Sequence, residues 1–98
     1  MKFDWNPDKA KENEQKHEGV TFKEAAETFL DANAFEDYDD EHSDATEIRF
    51  VRIGNSSKRL LRVSFTVRQD ETDDEIIRII SAQKGKAKEE RKYHEQNK

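Results

Sequence analysis

The chain has 98 residues, 32% of them hydrophobic and 42% charged, and a net charge of −5. Such a length suits one domain with a small core, and so polar a composition folds only because its apolar residues cluster into periodic segments. The absence of cysteine excludes a disulfide framework and a Cys-based zinc site, and no apolar run approaches the roughly 18 residues of a membrane span.

Met1-Lys2-Phe3-Asp4-Trp5 does not have the pattern of a signal peptide, so a cytoplasmic protein with no membrane role is expected. The alternation in Lys2–Trp5 fits a short strand. Asn6-Pro7-Asp8 then reads as a helix start, with Asn at the N-cap and Pro at the first helical position. This helix should run to about His17, with Gly19 as its left-handed stop. Its inner face carries Ala10, Asn13, Glu14 and His17, so it must meet something polar or lie lightly on a sheet.

Thr21 and Glu24 fit a reciprocal capping box opening a second helix. Phe22, Ala25, Ala26, Phe29 and Leu30 form its apolar stripe, which should close the core. Ala34–Tyr38 is a short strand candidate, followed by an acidic loop over 39–44. Ile48–Gly54 is the next strand, and Gly54–Ser57 supplies a turn.

Leu60–Arg68 alternates most cleanly. Leu61, Val63, Phe65 and Val67 face one way; Leu60, Arg62, Ser64, Thr66 and Arg68 face the other. Ile76–Lys84 is the densest β-branched run, and its near-continuous apolar character predicts a strand covered on both faces, in the middle of the sheet. From Gly85 to about Gln96 the residues favour a helix whose every face is polar, one that is solvated or held by a ligand or partner. The later connections are too short for crossovers, so those strands must be antiparallel. The expected fold is α+β over residues 1–98. Two N-terminal helices pack on one face of a mainly antiparallel sheet of about four or five strands, followed by a polar C-terminal helix.

Charge is segregated. Residues 1–47 carry net −10, 48–68 net +6, 69–75 net −5 and 76–98 net +4. This asymmetry fits either a polyanion-binding face or two halves that neutralise each other through ion pairs. Arg62 and Arg78, with Arg49 and Arg52 on the preceding strand, could share one surface, and the planar guanidinium fork suits phosphate. His42 lies among Asp39, Asp40, Glu41 and Asp44, a setting for an ion pair or for a general acid. The three histidines show no metal-ligand spacing, so no metal and no cofactor are expected.

Several stretches carry a family resemblance. They are Phe3-x-Trp5, Lys16-His17-x-Gly19-Val20-Thr21-Phe22-x-Glu24-Ala25, Asp40-x-His42-Ser43, Glu47-x-Arg49, Arg78-Ile79-Ile80-Ser81-Ala82 and Glu90-Arg91-x-x-Tyr93. Together they resemble the BrnT toxins, in the family's order, with Glu18 as an extra residue. The resemblance implies a RelE-like fold and the ribonuclease half of a type II toxin–antitoxin pair. Such a toxin cleaves RNA without metal, inhibits translation and is neutralised by a BrnA-like ribbon-helix-helix antitoxin; it meets DNA only through that antitoxin. On this reading Arg62 and Arg78 stabilise charge, and His42 or Lys84 transfers protons. Arg49, Arg59, Arg62, Ser81, Lys84 and Lys86 would bind RNA. Gln83 stands where the family typically has Arg, which admits an alternative: an attenuated homologue that mainly binds its antitoxin and regulates their operon.

Overall fold

The computed structural model describes residues 1–98. Strand β1 (Lys2–Asp4) leads into helix α1 (Pro7–Lys16) and then α2 (Phe22–Glu27), which tightens into a 3₁₀ turn, Thr28–Leu30. Strand β2 (Phe35–Tyr38), a 3₁₀ turn (Asp40–His42), β3 (Arg49–Asn55), β4 (Leu60–Gln69), β5 (Glu75–Lys84) and α3 (Ala87–Gln96) follow. The five strands form one sheet ordered β1-β5-β4-β3-β2, with β1 parallel to β5 and the others antiparallel. The middle strand is therefore β4. The Ile76–Lys84 run lies one place from the centre, because the short β1 pairs with it at Ile76, Ile77 and Arg78. No helix is long and apolar enough to cross a membrane.

Local chemistry explains the helix boundaries. The Asn6 side chain accepts from the backbone N–H of Asp8 and Lys9, and Pro7 occupies the first turn. At the other end Glu18 (φ 54°) and Gly19 (φ 75°) are both left-handed, and Gly19 N–H closes on Glu14 O at 2.9 Å. Glu18 thus sits in a conformation that costs a side chain what it does not cost glycine. At α2 the Thr21 hydroxyl accepts from Glu24 N–H at 3.0 Å, but the reciprocal half of the capping box is missing. The Glu24 carboxylate turns instead to Arg59 and Ser56, which offer charge-assisted bonds.

The core lies between the first two helices and one face of the sheet. Val20, Phe22 and Ala25 pack on Leu61, Val63, Phe65, Ile77, Ile79 and Ala82, with Trp5, Ala10 and Phe29 at the margin. The predicted stripe of α2 holds as far as Phe29. Leu30 is 87% exposed, because the change to a 3₁₀ turn at Thr28 rotates it off the buried face. Thr28 itself is buried, its hydroxyl donating to Ala25 O at 2.7 Å. It packs so near β3 that a Cβ on Gly54 would stand 2.9 Å from Ala34 Cβ and 3.3 Å from Thr28 Cβ. Only glycine fits there.

The polar inner face of α1 meets the sheet edge. Asn13, 5% exposed, donates to Val20 O and Ala82 O and accepts from Ala82 N–H. The last helix is not polar all round, as the sequence suggested. Tyr93 is 6% exposed and packs on Val51 and Ile53, on the opposite face of the sheet from Phe22 and Ala25. Its hydroxyl donates to Asp31 Oδ2 at 2.8 Å and accepts from Asn55 Nδ2 at 3.2 Å. Burial and the Asp31 carboxylate raise the phenol pKa above its ordinary value.

Candidate functional site

Pairing registers fix which side chains share the sheet face that α3 only partly covers. Arg62 stands opposite Gln83 and Ile53, Ser64 opposite Ser81 and Val51, and Thr66 opposite Arg78 and Arg49. Strict alternation along β5 would have sent Ser81 into the core with Ile77 and Ile79. It does not, because the ladder skips a residue: Phe65 pairs with Ile79 and Ser64 with Ser81, leaving Ile80 as a bulge. The phase shift buries Ala82 and turns Ser81 and Gln83 outward beside Arg62 and Ser64. The near-continuous apolar run thus reflects the bulge as much as burial on both faces.

These residues floor a cavity of about 270 Å³, walled by Arg49, Ile80, Asp39 and His42. The wall is a hydrogen-bonded loop. Ser43 Oγ donates to Asp39 O and accepts from Arg49 N–H, while Asp39 N–H donates to Arg49 O. Asp44 closes its tip by accepting from Thr46 and from Glu47 N–H; the Thr46 hydroxyl and amide hold its carboxyl below the ordinary carboxylate range.

The imidazole of His42 is oriented by one carboxylate, with Nδ1 2.9 and 3.0 Å from the two oxygens of Asp39. A nitrogen facing two acceptors must be the one that carries hydrogen, so the proton is assigned to Nδ1 and Nε2 is left to act on a ligand. Arg62 is held from the other side, its NH1 donating to Glu89 Oε2 at 2.6 Å. Glu89 also caps α3 by accepting from Lys86 N–H at 2.9 Å, so the helix start and the guanidinium share one carboxylate. Arg49 pairs with Glu47 at 3.0 Å.

Of the residues singled out from sequence, Arg49, Arg62, Ser81, Gln83 and His42 converge on this cavity. Arg78 lines an adjoining depression that shares Arg49 and Ile80, and it pairs with Asp4 at 2.6 Å. Lys86 lines a depression on the other side that shares Arg62 and Asp39. Lys84, on the opposite phase of β5, lies in a separate hollow with Arg59 and Tyr93. Arg59 is committed to Glu24 through two bonds of 2.9 and 3.0 Å, and Arg52 turns to the helix face, bonding Thr28 O, Asp31 O and Glu36. Sequence reasoning did not single out Ser64, Asp39 or Glu89 as site residues. Ser64 shares the alternation phase of Arg62, and Asp39 is three residues before His42, so both carried a signal. Glu89 carried none beyond its place in the first turn of α3.

A carboxylate-oriented imidazole, two guanidiniums, two hydroxyls and an amide around one shallow cavity can bind a phosphodiester, move a proton and stabilise added negative charge. A family model described as "Ribonuclease toxin, BrnT, of type II toxin-antitoxin system" matches residues 5–89. The chain belongs to the BrnT family. The matched span includes every residue lining the BrnT cavity and ends at Glu89, the partner of Arg62. No curated protein matches the chain.

Proposed function

We propose that this chain is a toxin of a type II toxin–antitoxin system that cleaves RNA without metal and thereby inhibits translation. The observation that carries the reading is the convergence of the Asp39–His42 pair with Arg49 and Arg62 on one cavity of a BrnT-family chain. In the proposed reaction the RNA's own 2′-OH attacks the neighbouring phosphorus and loses its proton to His42 Nε2. The bond from phosphorus to the 5′-oxygen breaks, giving a 2′,3′-cyclic phosphate and a 5′-hydroxyl that takes up a proton. Arg62 and Arg49 face the phosphorane oxygens, where pre-placed cations act most strongly. Ser81, Ser64 and Gln83 hydrogen-bond the phosphate, Arg78 and Lys86 hold the flanking chain, and Lys84 and Arg59 lie farther out. Side chains alone supply the chemistry on this reading, with no cofactor.

The sheet order with two preceding helices supports a RelE-like domain over residues 1–98, acting in the cytoplasm. Its partner would be a BrnA-like ribbon-helix-helix antitoxin, through which alone it would meet DNA. The purified protein is expected to degrade RNA in EDTA, and Arg62→Ala to remove at least about a hundredfold of that rate. Arg78→Ala, one depression away, should cost less. Full activity in Arg62→Ala rejects the site.

One observation favours a second reading. Gln83 occupies a cavity position where a cation would neutralise phosphate, and Arg62 already has a carboxylate. An attenuated toxin that mainly binds its antitoxin and regulates their operon would fit. Harmless expression together with tight antitoxin binding would support that reading over the first.

A further inference from the structure

We propose that the helix-covered face of the sheet carries, at the end α1 and α2 leave open, a docking surface for a basic amphipathic segment of a partner protein. Identifying that partner with the antitoxin rests on the toxin–antitoxin reading above; the surface itself does not depend on RNA cleavage. Its centre is a ladder of five aromatic rings, Phe3, Phe29, Phe65, Phe50 and Tyr38, with successive centres 5.0–5.5 Å apart. The registers set this ladder on the face of Leu61 and Val63, opposite Arg62 and the cavity. Beside it Phe3, Ile77 and Val67 form one row across β1, β5 and β4. Ile48 comes just ahead of β3, whose first pair, Arg49 with Thr66, sets it next to Val67. Of six exposed large apolar side chains, Phe3, Tyr38, Ile48 and Val67 gather here, Tyr38 at 67% and Ile48 at 54%. Single exposed apolar residues are ordinary, but a contiguous patch marks a surface that a partner covers.

The rim decides the chemistry of that partner. Two loops meet at this end of the sheet, 39–48 before β3 and 70–74 between β4 and β5. Asp40, Glu41, Glu71, Asp73 and Glu75 stand on or beside these loops, and none of them has a cationic partner. The bases nearby are already committed: Lys2 pairs with Asp70, Arg52 with Glu36 and Arg68 with Asp4. An apolar strip between free carboxylates fits a segment whose apolar side chains are flanked by Lys or Arg. The rings suit such flanking cations as well. The Arg52 guanidinium already stands 4.8 Å from the centre of the Phe29 ring. A second copy of the chain would bring two acidic rims together, and an anionic membrane surface would be repelled.

Titration calorimetry of the full chain with the antitoxin encoded beside it reads this surface directly. Tyr38→Ala and Ile48→Ala are each expected to weaken the complex about tenfold, since both truncate exposed anchors without opening the core. Glu41→Lys combined with Glu71→Lys disturbs no packing, and should weaken the complex about fivefold and flatten its dependence on salt. Ser81→Ala, in the cavity on the other face, should leave the affinity unchanged. Parent-like affinity in the Tyr38, Ile48 and charge-reversed variants would overturn the surface and leave the antitoxin reading intact. Tighter binding by the charge-reversed variant would make the partner segment acidic and overturn the proposal. A dimer of the parent that Tyr38→Ala dissolves, read by sedimentation, would overturn it by giving the surface to a second copy. No complex between the parent and the antitoxin would overturn both readings.

Discussion

The side-chain amide of Asn13 hydrogen-bonds both peptide groups of Ala82, Nδ2 donating to the carbonyl at 2.7 Å and Oδ1 accepting from the N–H at 3.0 Å. Strand β1 covers β5 only from Ile76 to Arg78, so beyond it the edge of β5 needs another partner. One helix side chain takes the place of a strand. Ala82 lies between Ser81 and Gln83, so the contact also pins the segment that presents the cavity floor.

Asn13→Ala leaves the buried groups of Ala82 and the Val20 carbonyl without this partner. A loss on the order of 3 kcal/mol is expected, read by urea denaturation, with faster amide exchange at Ala82. A loss below about 0.5 kcal/mol would show that water replaces the amide at no cost.

His42→Ala should abolish most RNA cleavage, and Asp39→Asn should lower it by about ten- to a hundredfold with less change in KM than in kcat. An amide at 39 can present its NH₂ to Nδ1 and favour the wrong tautomer. Full cleavage by His42→Ala would remove His42 from the mechanism.

Arg62 and Gln83 are direct cross-strand neighbours. Gln83→Arg sets two guanidiniums side by side over the cavity, which costs up to about 1 kcal/mol of stability by like-charge contact. The second cation gains a charge-assisted bond to phosphate, so cleavage should rise about tenfold. Parallel rate and melting measurements check both signs. An unchanged rate would place the phosphate away from the strand end.

The Glu24 carboxylate is 5% exposed within the forked grip of Arg59, and Ser56 adds a bond of 2.7 Å. The Arg59 bond, helped by Ser56 and opposed by burial, holds its pKa below the ordinary value. The unfolded chain therefore takes up this proton at a higher pH than the folded one. Stability from the pair is complete above the unfolded pKa of about 4.3 and is lost as pH falls through the folded value. Asp44, held low by Thr46, and Glu27, held low by Ser57, act in the same direction. Denaturation midpoints should be level from about pH 7 to 5 and fall below about 4.5. Glu24→Gln should cost about 2 kcal/mol at neutral pH and flatten part of the acid limb.

The elements were legible where neighbours in sequence decide them. Asn6-Pro7 starts α1, Gly19 ends it, Thr21 caps α2, and the period-two pattern of Leu60–Arg68 gives a strand that buries Leu61, Val63 and Phe65 as expected, with Val67 exposed near its end. Arg62, Ser64 and Arg49 could likewise be placed on strands, since facing depends on alternation alone. The antiparallel meander followed from loops too short for anything else.

Tertiary structure decided everything that depends on which strands and helices meet. Asn13 finds Ala82 across 69 residues, Arg59 finds Glu24 across 35, and Arg62 finds Glu89 across 27. No periodicity encodes those partners, because side-chain spacing reports only which way a residue faces. The bulge at Ile80 is the clearest case: a register slip between two strands, invisible in either alone, turns Ser81 and Gln83 from the core to the cavity. Local pattern therefore determined the elements and the cations they carry, while strand pairing determined which of those cations stand around one phosphate-sized space.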